Sequence, residues 1–221
     1  MQGDCTESEI FRMNQTFDSR TFKMACKSLA KKHASIKTIT DTFGFPPLYE
    51  RAFGFETLVQ IILEQQVSLA SGRAVYNKLQ KAMDGITPHG LLQMNIEDLR
   101  AVSVSRQKAG YLLHLSEMVA TRQLNLDELP TLPDDIIREK LMQVKGIGPW
   151  TADVVLMLCL KRCDVFPIGD VALVNSVRHM HNKPEWTTEE IRTYAGIYAP
   201  YRTIAAYFYW HAYIQRKNIS I

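Results

Sequence analysis

The sequence predicts an all-α protein with two lobes, and three observations carry that prediction. Apolar residues recur at helical rather than alternating spacing through most of the chain, while strand signals are short and scattered. Turn-forming clusters at Gly44-Phe-Pro-Pro47, Asp84-Gly-Ile-Thr-Pro88, Leu129-Pro-Thr-Leu-Pro133, Cys163–Gly169 and Lys183-Pro184 cut the chain into helix-sized pieces. There is no internal repeat, low-complexity segment or long Gly/Ser linker. With 221 residues, 46% of them hydrophobic, the chain can bury a proper core.

Taken in order, the first dozen residues are polar and acidic and are expected to be disordered. They lack the basic start and apolar centre of a secretory signal. Leu58, Ile61, Ile62 and Gln65 predict a helix over 57–69, and Val75, Leu79 and Ala82 predict another over 73–82. From Leu132 the pattern is helical again, with Asp134 placed to cap and Ile136, Ile137, Lys140 and Leu141 at helical spacing. Gly146 and Gly148 follow, permitting positive φ and leaving no Cβ in the way of an approaching group. Pro149 suits the first turn of the next helix, where its missing N–H costs nothing. The whole reads as a helix, a two-glycine hairpin and a second helix over 134–160. Amides crowded at that helix start form an anion site, and Lys145 adds a positive charge. A DNA backbone phosphate is the expected anion; an ordinary tight turn between helices is the plainer reading of the same glycines.

The net charge of +3 is mild, but it is unevenly placed. Residues 138–162 hold Arg138, Lys140, Lys145, Lys161 and Arg162 against Glu139 and Asp153, which is 5 − 2 = +3, so the rest of the chain is neutral. Such a local basic face suits a few phosphate contacts rather than wholesale wrapping of DNA. The four cysteines, Cys5, Cys26, Cys159 and Cys163, contain no Cys-x-x-Cys pair, which argues against a zinc site or disulfide framework. No apolar run reaches the roughly 18–20 residues of a membrane span, Val154–Leu160 being too short.

Beyond the hairpin, Asp170 ends a loop holding Pro167 and Gly169 and opens the apolar segment Val171–Val174. Read alone, such an aspartate is a helix cap, a role that leaves room for a second one. Six of the nine tyrosines lie from Tyr194 onward, beside Phe208 and Trp210. Most are expected in the core, with one or two free to line a pocket.

The string Leu141-Met-Gln-Val-Lys-Gly-Ile-Gly-Pro-Trp-Thr-Ala-Asp153, completed by Gly169-Asp170, closely resembles the helix–hairpin–helix of the base-excision DNA glycosylases, the HhH-GPD superfamily. The branch most similar in pattern is the 3-methyladenine DNA glycosylase II (AlkA-like) group. Phe53–Ser68 resembles its "F..L...I..QQVS" helix, Leu99–Ala109 its "LR..G.S..KA" segment, and Pro200–Trp210 its "P(W/Y)RS.A....W" ending. The likeness runs from about residue 45 to 215 and departs from the pattern at Ser103, Glu64 and Val154. Glycines are usual at the first two positions and an aromatic at the third.

The resemblance implies a two-lobed HhH-GPD fold lacking an N-terminal β domain. One lobe would hold about 14–50 plus 171–221, and the other about 55–165. It makes Asp170 the catalytic carboxylate. Trp150 occupies the position where strand-cleaving relatives carry a lysine nucleophile, which implies a monofunctional enzyme. Trp150 and Trp210 are the implied base pocket. Gly146, Gly148, Thr151, Lys145 and Gln66 are the implied DNA contacts, Gln66 as the side chain inserted where a nucleotide flips out. A solvent-facing helix glutamine and a core tryptophan are the plainer readings of Gln66 and Trp150. Backbone carbonyls of Met142, Val144 and Ile147 could hold a structural Na+ or K+. With no cysteine after Cys163, no iron–sulfur cluster is expected.

The implied function is release of flipped, 3-methyladenine-type alkylated purines from duplex DNA, leaving an abasic site. A base that departs already cationic needs no protonation, so a single carboxylate suffices. Alternatives are the same scaffold acting on hypoxanthine or uracil, and a non-catalytic helix–hairpin–helix DNA-binding protein. A monomer is expected, with no membrane partner, in the cytoplasm or, in a eukaryote, the nucleus.

Overall fold

The computed structural model describes residues 16–219; the expected disorder of residues 1–12 and the thiol of Cys5 lie outside them. The helices are α1 (Ser19–Lys32), α2 (Ala34–Phe43), α3 (Phe55–Glu64), α4 (Leu69–Ala82), α5 (Pro88–Leu92) and α6 (Ile96–Ala101). They continue with α7 (Arg106–Ala120), α8 (Asp134–Met142), α9 (Pro149–Val154), α10 (Val171–Met180), α11 (Thr188–Ala195) and α12 (Arg202–Lys217). Among the described residues there is no sheet, only an isolated antiparallel bridge between Thr16 and Arg162.

The chain divides into two compact units. One joins the residues up to Glu50 with those from Leu156 onward; the other is Arg51–Val155. The boundary therefore falls ten residues earlier than the sequence suggested, in the π turn Val155–Cys159 that continues α9. Local bonding explains the shift. The hydroxyl of Thr203 on α12 donates to Arg162 O (2.6 Å) and accepts from Val165 N (3.0 Å). Arg202 grips Asp164 with two nitrogens, each at 2.8 Å, and Phe17 N donates to Lys161 O. Residues 161–165 are thus stitched to α12 and to the segment before α1.

In this first unit α12 is the central helix, packed by α1, α2 and α10. Its residues Thr203 to Tyr209 are all buried. Each large apolar side chain taken out of water there contributes about 1.5–3 kcal/mol. The terminal aromatics are therefore mainly core, and their polar ends are satisfied internally. Tyr207 Oη donates to the carbonyls of Tyr49 (2.9 Å) and Met157 (3.0 Å). Tyr209 Oη meets Tyr198 Oη (2.6 Å) and His181 Nε2 (2.8 Å), and Tyr198 Oη meets Ser35 Oγ (2.9 Å). Cys26, Cys159 and Cys163 are buried thiols, and desolvation pushes Cys26 up to about 12.

In the second unit α3 buries Leu58, Val59, Ile61, Ile62 and Leu63 and packs on α4 and α7, while α8 packs on α9. Two expectations are corrected here. The helix over 57–69 stops at Glu64: Gln65 is extended (φ −61°, ψ 136°), Gln66 is left-handed (φ 55°), and Ser68 caps α4, which starts at Leu69 rather than 73. Apolar periodicity runs across this break because both helices bury a face of the same core. The break is tight because Gly72 lets α4 press on α3; a Cβ there would lie 2.8 Å from Glu64 Cα. Second, α8 starts at Asp134 itself, with Pro133 in the cap position, so Asp134 is the first helical residue.

Candidate functional site

The hairpin lies wholly in the second unit. After α8 the chain turns with Val144 N donating to Leu141 O (3.1 Å) and Ile147 N to Val144 O (3.0 Å). The two glycines have different jobs. Gly146 is left-handed (φ 89°), and a Cβ on it would run into the ring of Tyr111 on α7, so the fold itself demands glycine. Gly148 is extended (φ −99°, ψ −179°), and a Cβ there would meet nothing within 4 Å. It stands at the cap position of α9 without a side chain to cap with, and Pro149 follows. The start of α9 thus faces open space with no side-chain cap, the arrangement an external anion can exploit.

Lys145 is exposed beside it, and its backbone N–H donates to His114 Nδ1 (3.1 Å), so that amide is already used. Thr151 is 3% exposed and its hydroxyl accepts from Gln65 Nε2 at 3.0 Å, so what it has to offer outward is backbone. The expected basic face also shrinks. Arg138 pairs with Asp153 (2.7 Å), Lys161 pairs with Glu50 (2.6 Å) and Arg162 is buried, the last two in the first unit. Lys145 is the exposed charge left at the turn itself. Of the three carbonyls considered for a cation, that of Val144 accepts Ile147 N–H, with a second lone pair to spare. Three neutral oxygens suit a hard monovalent ion.

The turn after α3 stands next to the hairpin. Gln65 Nε2 donates to Gly146 O (2.9 Å) as well as to Thr151, so the two segments are bonded. Gln66 is exposed, and apolar Val67 and Leu69 beside it are 47% and 46% exposed. Glu64, the departure from the resemblance, is held by Arg51 (2.7 Å) and Gln60 (2.8 Å), and Gly72 makes room for it. Val154 is buried, and Trp150 is half-buried in α9.

Asp170 lies in the first unit and caps α10. Its Oδ1 accepts from Leu173 N at 2.7 Å, and its own N–H donates to Pro167 O at 2.8 Å. The loop thus anchors the residue's backbone, and the helix it caps holds one oxygen of its carboxylate. α10 packs on α12, which carries Trp210. Trp210 stacks on Tyr207 (centroids 5.9 Å, planes 17°) and meets Tyr49 edge-on (6.4 Å, 82°).

Residues 59–199 match the HhH-GPD superfamily of base excision DNA repair proteins. The chain belongs to that superfamily. A putative DNA-3-methyladenine glycosylase of Bacillus subtilis is 28% identical over 80% of this chain and 65% of its own length. DNA-3-methyladenine glycosylase 1 of Schizosaccharomyces pombe is 29% identical over 73% of each chain. A solved structure of a S. pombe 3-methyladenine DNA glycosylase in complex with abasic DNA superposes with a TM-score of 0.77 at 27% identity, covering 85% of this chain and 95% of that one. The chain thus spans just under two thirds of the first of these relatives. Among the described residues no helix is long and apolar enough to cross a membrane.

Within this HhH-GPD chain the structure adds residues that sequence reasoning missed. Tyr49 carries a buried hydroxyl with no hydrogen-bond partner beside Trp210, and burial pushes it up to about 12. Gln65 links hairpin and turn. Nothing in the sequence pointed to Tyr49, and only its place in the Gln65-Gln66 pair drew notice to Gln65.

Proposed function

We propose that this chain is a monofunctional DNA glycosylase that hydrolyses the N-glycosidic bond of flipped 3-methyladenine-type purines in duplex DNA. It would act as a monomer, wherever the cell keeps its DNA. The observation that carries the reading is the pair of helix starts in one HhH-GPD chain. One is uncapped and open beside Lys145, and the other is closed by a fixed carboxylate, Asp170. The hairpin would take a backbone phosphate, which positions the protein without reading sequence. Gln66 would fill the gap left by the flipped nucleotide and offer its amide to the orphan base.

At the sugar, cleavage builds positive charge on C1′ and O4′. Asp170 would stabilise that charge and accept a proton from the water whose oxygen bonds to C1′. The C1′–N bond breaks with its electrons going to the base. An N-alkylated purine is neutralised by that pair and leaves without an acid, which is why the reading favours alkylated bases. Trp210, with Tyr49 edge-on, would offer such an electron-poor base a stacking surface. A monovalent ion on the Met142, Val144 and Ile147 carbonyls would stiffen the hairpin and add positive potential for phosphate.

Trp150 has no amine, so no Schiff base forms. The product should be an intact strand with an abasic site, nicked only by alkali or heat, and borohydride should trap no protein–DNA adduct. A trapped adduct, absent from an Asp170→Asn sample prepared in parallel, would contradict the monofunctional reading. Release of hypoxanthine or uracil instead of methylated purines would move the specificity to deaminated bases.

A further inference from the structure

We propose that Lys108 is a positioning residue that, together with Gln65, holds the Gln66 turn in its left-handed form and in register with the hairpin. This rests on the reading of Gln66 as the inserted side chain. The observations are all within the second unit. Lys108, on α7, sends its ammonium to the carbonyls of Leu63 (2.6 Å) and Gln65 (2.8 Å) at the end of α3. A cation there meets the negative end of the helix dipole and satisfies carbonyls the helix leaves without partners. Desolvation lowers its pKa, and that cost is one a surface lysine free in water would not bear.

Gln65 is then held twice. Its carbonyl is bound by Lys108, and its side-chain amide by Gly146 O and Thr151 Oγ1. The next residue, Gln66, has φ 55°, a left-handed conformation that is costly for an ordinary L-residue and persists where the surroundings impose it. On the far side, Gly72 presses against Glu64 and Ser68 caps α4, so the turn has no slack. α7 supplies the other half of the argument. Lys108, Tyr111 and His114 recur every three residues on it: the first holds the turn, the second packs under Gly146, and the third accepts from Lys145 N. One helix face thus sets both the phosphate-binding hairpin and the protruding glutamine. Sitting down on phosphate would deliver Gln66, with Val67 and Leu69 at its shoulders, at a fixed height on the duplex.

The test uses the full chain and a duplex carrying 2-aminopurine beside a tetrahydrofuran abasic-site analogue. Unstacking on binding raises the fluorescence whether or not any base is cut. Lys108→Met, which keeps the stem and removes the charge, should cut the rise at saturating protein by about tenfold, the size of a charged hydrogen bond. Duplex affinity should stay within about threefold of wild type, since the hairpin still holds phosphate. Lys108→Arg should restore at least about half of the rise, because it returns a cation to the same carbonyls. In a Gln66→Ala background, Lys108→Met should cause no further loss, as expected for one residue acting through the other.

A full fluorescence rise in Lys108→Met, or losses that multiply in the double variant, would overturn the proposal. So would a wild-type protein that binds the duplex without any rise. Should Lys108→Met fail to fold, Gln65→Leu reads the same link from the hairpin side, with the same expected loss and the same contrary result. Base release is scored separately: protein that unstacks the duplex but frees no base would refute the glycosylase reading and leave this one standing.

Discussion

The starts of α9 and α10 are the same backbone device put to opposite uses. Both follow a loop containing glycine, and both begin a helix that packs against a neighbouring helix of its own unit. Asp170 closes α10 with its own oxygen on Leu173 N, so that helix start is satisfied from within and the carboxylate is immobilised. Gly148 has no side chain to cap α9, and a Cβ on it would meet nothing within 4 Å, so under the proposed function that helix start is the one left for an anion from outside. What makes a helix start a binding site is thus the residue at the cap rather than the helix. A carboxylate there satisfies the helix and is itself oriented; a glycine there leaves the amides to an external anion, which is the difference the proposed function uses.

The contrast can be broken at each end. Asp170→Asn keeps a capping oxygen and should leave stability almost unchanged, since asparagine caps as well as aspartate. It should nevertheless cut single-turnover base release by about a hundredfold or more, the contribution expected of a positioned base. Release within about tenfold of wild type would remove Asp170 from the chemistry.

Gly148→Asp makes the hairpin resemble the other turn. The extended backbone accepts any residue, so the helix gains a cap worth roughly 0.5 kcal/mol, read as a small rise in melting temperature. Binding should weaken about tenfold on all duplex sequences alike, because a lost charged contact to phosphate carries no base information. Loss confined to one lesion or sequence would assign the hairpin another task.

Gly146→Ala separates fold from function in the same turn. It forces an L-residue into a left-handed conformation and into the Tyr111 ring, and should destabilise the protein by about 2–4 kcal/mol in urea titrations. A wild-type midpoint would show that Tyr111 yields freely.

The smallest effect concerns pH. Burial lowers the pKa of His181 from 6.5, and of His33 in the same direction, so the fold favours their neutral forms. Below about pH 6.5 the unfolded chain takes up protons the folded chain refuses. Stability should therefore be complete above that value, fall as the pH drops toward the lowered pKa values, and then level. His181→Gln retains a side-chain partner for Tyr209 and should shrink the fall between about pH 7.5 and about pH 5.5. An unchanged profile would place the titration elsewhere.

The sequence made one end of this comparison far more legible than the other. Gly146, Gly148, Pro149 and Asp170 announce themselves because turn chemistry is local and each residue type has a physical reason to be there. The break at Gln65–Ser68 was invisible, since apolar residues keep helical spacing across it while the contacts found there, from Lys108, the hairpin and Gly72, come from elsewhere in the chain. The same holds for the basic face. Arg138 and Lys161 look free in sequence, yet the fold brings Asp153 and Glu50 to them. The boundary at Leu156 depended on Thr203, whose hydroxyl bonds Arg162 O from 41 residues away. Composition flagged the terminal aromatics, but burial decides that Tyr198, Tyr207 and Tyr209 are core and Trp210 is half-exposed.

One measurement tests the central claim most directly: incubating the purified chain with duplex DNA treated with a methylating agent and identifying every released base by mass. The proposed function predicts free 3-methyladenine-type purines, release slowed about a hundredfold or more by Asp170→Asn, and strands that stay whole until alkali is added. Duplex binding without any released base, equal in wild type and Asp170→Asn, would contradict the claim and leave a helix–hairpin–helix protein that only binds DNA.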